Sequence, residues 1–272
     1  MRNYFRSQLE RRAPVLFSNI RAIRNRRYFR KKFSQLHADI REQLFPPPVP
    51  ITVQCGPFRG LRYFDETVWG SITPKWLGSY EAELHPIVDA IAKRGYNTII
   101  DVGCAEGYYA VGLALIVPNG TVMAFDTDFI SRGQLRRLAA LNQLTDRIQI
   151  GTFCAHSNLD SLSRGATLVV CDIEGFETQL LNPAIAVSLL RSDILVEVHE
   201  TSRDSHAVES LLQSRFAASH RIERITAAGR DSWIDANQPH LSRPVARDLL
   251  RKATDEARVT GRVWLWMQAS RA

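Results

Sequence analysis

From Glu81 onward, short apolar segments of strand length alternate strictly with helical segments, and this alternation constrains the fold more than any other feature. Runs such as Leu168-Val169-Val170-Cys171 are apolar at every position, as in parallel strands that are buried on both faces. The pattern therefore predicts an α/β fold in which helices cover both faces of a mostly parallel sheet. It predicts strands at 97–102, 121–126, 147–151, 167–172, 193–199, 221–226 and 262–267, and helices at 81–94, 107–116, 131–144, 176–190, 205–217 and about 244–257.

The chain of 272 residues is long enough for one full core with an appended arm. Apolar residues recur every three or four positions from Val15 to Phe45, which predicts a basic amphipathic helix. Pro46-Pro47-Pro48 ends that helix and forms a stiff linker. We therefore predict an arm with its linker at 1–48, a segment rich in glycine and aromatic residues over the substrate side at 49–80, and the main domain at 81–272.

The net charge of +7 is concentrated in the arm. Residues 1–45 hold twelve Lys or Arg against three acids, a charge of +9, so the rest of the chain carries −2. This distribution gives no reason to predict DNA binding by the main domain. The arm is instead predicted to serve self-association or peripheral membrane contact. Its arginine-rich composition is also that of a mitochondrial transit segment, but its regular apolar face favours a structural role.

Hydropathy and cysteine usage predict a cytoplasmic protein. The apolar runs are interrupted within about ten residues, well short of the ~20 that a membrane-spanning helix needs. Cys55, Cys104, Cys154 and Cys171 are scattered without metal-binding spacing, so they are expected to stay reduced.

An Asp-x-Gly-x-x-x-Gly loop, from Asp101 to Gly107, follows the first predicted strand and precedes a helix. Gly103 and Gly107 permit a tight turn and a close approach of the backbone to a ligand. The carboxylates of Asp101 and Glu106 disfavour a diphosphate cofactor such as NAD and favour a ligand with a cationic end, for which S-adenosylmethionine is the predicted cofactor. Asp126 ends the next strand, 19 residues after Gly107, where its carboxylate is placed to accept hydrogen bonds from ribose hydroxyls.

Polar residues follow two further strands, at the edge where open α/β sheets bind ligands. Asp172 ends the fourth strand and His199 closes the fifth, so neighbouring strands would bring Asp172 and either His199 or Glu200 into one cleft. A carboxylate at the end of a buried strand is unfavourable unless it is paired, which favours a functional Asp172. We predict Asp172, His199 and Glu174 as catalytic residues, with the histidine taking a proton from an acceptor hydroxyl.

Two alternatives stay open for this cluster. The acids and His199 are also a ligand set for a divalent cation that lowers the pKa of the acceptor hydroxyl, although a site without metal is favoured. In a purely structural interpretation, His199 is only hydrogen-bonded, Glu174 and Glu177 favour the dipole of the next helix, and Glu197 is a paired strand-end acid.

The same segments resemble the FkbM-like S-adenosylmethionine-dependent methyltransferases over about residues 78–268. The most specific match is Asp172-Ile173-Glu174-Gly175-Phe176-Glu177. The other matching segments are Gly78-Ser79-Tyr80-Glu81, Ile100 to Tyr109, Phe125-Asp126 and Ile194 to His199. The chain departs from the usual pattern at Cys104-Ala105-Glu106, where the family has Ala-Asn, and at Asp126-Thr127, where it often has Glu-Pro.

The resemblance implies a class I, Rossmann-like sheet of seven strands whose last strand is antiparallel. It also implies O-methylation of a hydroxyl on a sugar-containing or other small metabolite, and it adds Glu81 and Cys104 to the candidate cofactor-binding residues.

Two competing functions remain. An RNA methyltransferase would use the basic arm, where Tyr28, Phe29 and Phe33 are interleaved with arginines, but helical spacing favours packing for these aromatics. A non-catalytic partner subunit would keep the fold and use the arm for assembly.

Overall fold

The computed structural model describes residues 23, 24, 26–66, 70–200, 205–256 and 262–270. One sheet contains the strands β1 (Thr98–Val102), β2 (Thr121–Phe125), β3 (Ile148–Gly151), β4 (Thr167–Cys171), β5 (Asp193–Val198), β6 (His220–Thr226) and β7 (Val263–Ala269). The helices are α1 (Ser34–Leu44), α2 (Thr73–Leu77), α3 (His85–Lys93), α4 (Tyr108–Ile116), α5 (Phe129–Leu141), α6 (His156–Leu162), α7 (Glu177–Leu180), α8 (Ala207–Phe216), α9 (Asp231–Asn237) and α10 (Arg247–Ala253).

The strands lie in the order β3-β2-β1-β4-β5-β7-β6. Strands β1 to β5 pair with one another in parallel, whereas β7 lies between β5 and β6 and is antiparallel to both. This is the strand order of the class I methyltransferase sheet. The predicted Rossmann-like fold class, with seven strands and an antiparallel last strand, is therefore confirmed.

Successive residues of each central strand pack on opposite faces of the sheet. Ile99 and Leu168 belong to the core on one face, whereas Ile100 and Val169 belong to the core on the other. Helix α4 covers the first face and α8 covers the second. Because β1, β4 and β5 are buried at every position, their sequences are mostly apolar and do not alternate, and the acids they contain, such as Asp101 and Glu197, are buried as well.

The register brings the carboxyl ends of three parallel strands to one edge of the sheet. Val102 of β1 pairs with Cys171 of β4, which in turn pairs with Val196 of β5. The residues that follow these positions therefore converge, and they include the glycine loop, Asp172 and His199.

The described end of the arm packs against the main core. Residues 26–32 and α1 are helical, and Ile40 and Leu44 are fully buried in the same core as β1. Rings of Phe29, Phe33 and His37 stack in a row that leads to Trp76. Residues 1–22, including the predicted helix start at 15, lie outside the described residues. The division of the chain at residue 48 stays a prediction.

The predicted helix at 176–190 is wrong. Helix α7 ends at Leu180, and a separate 3-10 turn spans Val187–Arg191. Pro183 has no backbone N–H, and the Asn182 side chain accepts a hydrogen bond from the backbone N–H of Ala184 at 3.1 Å, so a local turn replaces the helix. Three short helices were not predicted: α2, which lies in the glycine- and aromatic-rich segment at 49–80, α6 and α9.

The hydropathy prediction agrees with the structure: in the described part of the chain, no helix combines the length and apolar character needed to cross a membrane. All four cysteines are unpaired and buried.

Candidate active site

A cleft opens at the carboxyl edge, between the glycine loop and the segment that enters α3. Five of the predicted cofactor residues line it: Glu81, Asp101, Gly103, Cys104 and Glu106. Asp172 of the predicted catalytic group lines it as well. Asp172 thus connects the two predicted clusters, whereas His199, Glu174, Gly107 and Asp126 lie outside the lining of the cleft.

Gly103 and Gly107 are required by the loop itself. Both have positive φ, 85° at Gly103 and 97° at Gly107. A Cβ on Gly103 would lie 1.7 Å from the Asp172 carbonyl oxygen, and one on Gly107 would lie 2.3 Å from Leu135. The first glycine therefore lets the loop contact the end of β4, and the second lets α4 start against α5.

Asp101 is buried beneath the loop, and its Oδ2 atom has no hydrogen-bond partner. Burial, and then the nearby charge of Asp126, raises the pKa of Asp101 to about 7. A buried carboxylate oxygen without a partner is unfavourable. This atom is therefore suited to a ligand that brings a cation or a hydrogen-bond donor.

Asp126 holds the loop to the end of β2. Its Oδ2 accepts a hydrogen bond from the backbone N–H of Ala105 at 2.8 Å, and its Oδ1 accepts one from Asp128 at 2.7 Å. Burial raises the pKa of Asp126 to about 6, although these two bonds favour its charged form. Each oxygen keeps a second lone pair, so the predicted bond to ribose hydroxyls stays compatible with this loop-holding role.

Glu106 is fully buried but is not a free acid of the cleft. Its Oε1 accepts hydrogen bonds from the Lys75 ammonium and, at 3.0 Å, from the Tyr63 hydroxyl. The sequence analysis treated Glu106 as a negative charge available to a cationic ligand. This was wrong, because the Lys75 ammonium neutralises that charge. No sequence signal marks Lys75, since the pair joins positions 31 residues apart.

Glu81 is the other buried acid of the cleft wall, with a φ of 49°. Its carboxylate accepts a hydrogen bond from the Tyr109 hydroxyl, and its backbone N–H donates to Glu256 at 2.9 Å. These contacts fix the carboxylate beside the glycine loop, opposite the end of β1.

His199 lies at the centre of four carboxylates. Its Nδ1 is 2.8 Å from Glu177, and its Nε2 is 3.7 Å from Asp172, 3.8 Å from Glu174 and 3.8 Å from Glu197. The three predicted catalytic residues are therefore brought together. Glu200 is not part of this group, because its carboxylate accepts the backbone N–H groups of Val208 and Glu209 at the start of α8.

Glu177 positions the histidine and the preceding loop, a role that sequence reasoning missed. It is fully buried, and the oxygen that binds His199 also accepts backbone N–H groups of Ile173 and Gly175 at 3.3 and 3.0 Å. Burial alone would raise the pKa of Glu177, but the bond with His199 and the N–H groups outweigh it and lower the pKa. The only sequence signal was its place in the specific Asp172–Glu177 segment.

The carboxylates also control the protonation of the cluster. Burial by itself lowers the pKa of His199, but the bond to Glu177 and the charges of Glu197, Glu177 and Glu174 raise it above the ordinary value. Burial, followed by the charges of Glu197 and Glu81, raises the pKa of Asp172 well above its usual range. The cluster therefore has a high affinity for protons or for another cation.

The same three residues are a candidate metal-ligand set. Asp172, Glu174 and His199 each offer one ligand atom, and these atoms lie within 4.8 Å of one another. Within the described ranges no other group of this kind occurs. Carboxylate oxygen and imidazole nitrogen suit several divalent cations.

No protein-family model matches the chain, and no curated protein matches it. Similar folds occur among solved structures. The cofactor-bound protein Rv0187 from MTB has a TM-score of 0.48 and 14% identity, covering 71% of this chain and 81% of that chain. The O-methyltransferase TomG from Streptomyces achromogenes, solved with S-adenosylmethionine, has a TM-score of 0.45 and 14% identity, covering 68% of this chain and 81% of that chain.

An rRNA methylase from Streptococcus thermophilus is similar to the same degree, with a TM-score of 0.45 and 12% identity over 70% of this chain and 97% of that chain. Identities of 12–14% and TM-scores below 0.5 are too low to assign a reaction or a substrate. The FkbM-like subfamily therefore stays a prediction, and function has to be argued from the site.

Proposed function

We propose that the chain is an S-adenosylmethionine-dependent methyltransferase that methylates a hydroxyl group of a sugar-containing or other small metabolite. One observation carries the proposal: Asp172 lines the acid-rich cleft beside the glycine loop and also lies 3.7 Å from His199. Because Asp172 belongs to both clusters, the proposed proton acceptor, His199, would lie next to the cavity that would hold the methyl donor.

The cleft suits S-adenosylmethionine in its charge. The unpartnered Asp101 oxygen and the carboxylate of Glu81 are suited to the cofactor's ammonium group, and Asp126 to its ribose. When bound, the cofactor supplies a methyl group on a cationic sulfur. A diphosphate cofactor would instead meet the carboxylates of Glu81, Asp101 and Asp172.

His199 is the proposed proton acceptor. We assign the Nδ1 proton to the bond with the Glu177 carboxylate, which leaves the Nε2 lone pair on the side of Asp172 and Glu174. Glu177 thereby fixes both the ring orientation and the tautomer, while its charge makes the imidazole a stronger base. Asp172 and Glu174 lie where they can position the acceptor hydroxyl beside Nε2.

A divalent cation is the second candidate for this step, favoured by the compact Asp172, Glu174 and His199 ligand set. A cation held there would lower the pKa of the acceptor hydroxyl. Chelation separates the two: full turnover in chelator supports His199 as the base, and loss of turnover that Mg²⁺ or Mn²⁺ restores supports the cation.

RNA is the alternative acceptor. Two of the three arm aromatics argue against it, because Phe29 and Phe33 stack on each other with ring centroids 6.1 Å apart and are half-buried, whereas Tyr28 is exposed. Phe29 and Phe33 are therefore engaged in packing and are not free to stack on bases. A non-catalytic partner subunit is the remaining alternative.

Incubation with labelled S-adenosylmethionine and fractionated extracts of the source cells tests the proposal. We expect label in a small-molecule or glycan fraction, and none with the His199→Ala variant. His206→Ala is the matched control, since His206 is 70% exposed and outside the cleft, and it should label normally. Label in RNA would favour the alternative acceptor, and cofactor binding without any labelled fraction would favour a partner subunit.

A further inference from the structure

Lys75 is the only basic side chain among the described residues that line the cleft. It is 4% exposed and lies on α2, where its ammonium pairs with Glu106. The ring centroids of Tyr80 and Tyr108 lie 4.7 and 5.9 Å from its Nζ atom. A charged lysine is therefore held in a fixed place inside a cavity whose other charges are negative.

A contribution to stability does not by itself explain why the Lys75–Glu106 pair is buried. A buried ion pair stabilises a protein little compared with apolar residues of the same size, because both charges lose their hydration. An ammonium group has three N–H donors, and the bond to Glu106 uses one of them. The remaining donors of Lys75 lie beside the cleft, which its side chain lines.

The amino-acid end of the proposed cofactor carries both signs of charge. Glu81, Asp101 and Asp172 offer negative charge to its ammonium and sulfonium groups, but none of them suits its α-carboxylate. We propose that Lys75 recognises this α-carboxylate and that Glu106 holds the ammonium group in position for it. The inference rests on the proposed function and adds a residue that discriminates between ligands with and without a carboxylate.

Two ligands isolate the interaction. They are S-adenosylhomocysteine and its decarboxylated form, the same thioether without the α-carboxylate. Hydrogen bonds between charged groups lead us to expect that the wild-type chain binds the first about 10- to 100-fold more tightly in calorimetry. Lys75→Met should reduce this preference to about two-fold, because it should weaken the binding of S-adenosylhomocysteine more than the binding of the decarboxylated form.

Three further variants keep the test decisive if Lys75→Met fails to fold, since that change leaves Glu106 buried without its cation. The double variant Lys75→Met/Glu106→Gln removes both charges and should lose the preference, whereas Glu106→Gln alone keeps the ammonium and should reduce the preference without abolishing it. Lys75→Arg retains the charge and should retain the preference. Lys93→Met is the matched control, because Lys93 is exposed at the end of α3, and it should bind both ligands as the wild type does.

The outcomes separate this inference from the proposed function. A wild-type chain that binds neither thioether refutes the proposed function. A wild-type chain that binds both equally, or a double variant that keeps the full preference, refutes the role of Lys75 while the proposed function stands. Loss of the preference in the double variant, together with a reduced preference in Glu106→Gln and a full one in Lys93→Met, supports the inference.

Discussion

Replacing Asp101 with asparagine should stabilise the folded chain at alkaline pH while weakening cofactor binding. Asp101 is 3% exposed, and one of its carboxylate oxygens has no hydrogen-bond partner. Asparagine has nearly the same shape but carries no charge to be desolvated. The substitution therefore removes the unfavourable ionisation of a buried group together with its attraction for a cationic ligand.

The size of the effect follows from the pKa of Asp101, which burial and the charge of Asp126 raise from 3.8 to about 7. Between these values the native state keeps a proton that the unfolded state releases, so wild-type stability falls as pH rises. A shift of this size corresponds to a loss on the order of 4 kcal/mol once the pH exceeds 7. Part of this loss is already present at pH 5. The difference in free energy of unfolding between the variant and the wild type should therefore be about 2 to 3 kcal/mol larger at pH 8 than at pH 5.

Urea unfolding of both proteins at pH 5 and pH 8 measures this gain directly. Asp248→Asn is the matched control, since Asp248 is 89% exposed on α10, and its effect should be the same at both pH values. Calorimetry at pH 8 should show at least tenfold weaker binding of S-adenosylhomocysteine to the Asp101 variant. An equal stability difference at pH 5 and pH 8 would refute the argument that burial controls this carboxyl group.

Other variants test the remaining parts of the site. Glu177→Gln should lower the raised pKa of His199, which moves the acid limb of the pH–rate profile to lower pH and reduces turnover by about 10²-fold or more, because the proton acceptor becomes weaker and its tautomer is no longer fixed. An acid limb that stays in place would exclude His199 as the base. Asp126→Ala should weaken S-adenosylhomocysteine binding by about 1 to 3 kcal/mol, since it removes the ribose acceptor and an anchor of the loop. Unchanged affinity in calorimetry would contradict both roles. Removing residues 1–48 should lower the thermal midpoint by several degrees, because α1 packs in the main core. An unchanged midpoint would support the domain division at residue 48.

The sequence predicted the strands of the fold well because burial on both faces leaves a strong local signal. Apolar runs mark β1, β4 and β5, and the structure buries every residue of them. The helix predicted at 176–190 failed at Asn182-Pro183, where local turn chemistry overrides an apolar pattern. Asn-Pro favours a turn, and this dipeptide is therefore the local sequence signal for a helix end near Leu180.

Several site residues were also within reach of the sequence. The polar residues that follow apolar strands at their carboxyl ends indicated Asp172 and His199, because strand register brings those ends to one edge. The glycine loop followed from spacing alone. These features depend on a few consecutive residues and on the general geometry of parallel sheets.

The partners of the charged groups were decided only by the tertiary structure. Lys75 neutralises Glu106, Glu177 orients His199, and Asp126 holds the glycine loop through the backbone N–H of Ala105. Each of these bonds depends on separations of about 3 Å between atoms of different elements, and such separations have no periodic trace in the sequence. The sequence by itself therefore determined where the acids and the histidine gather, whereas packing determined which of them are neutralised and which remain available to a ligand.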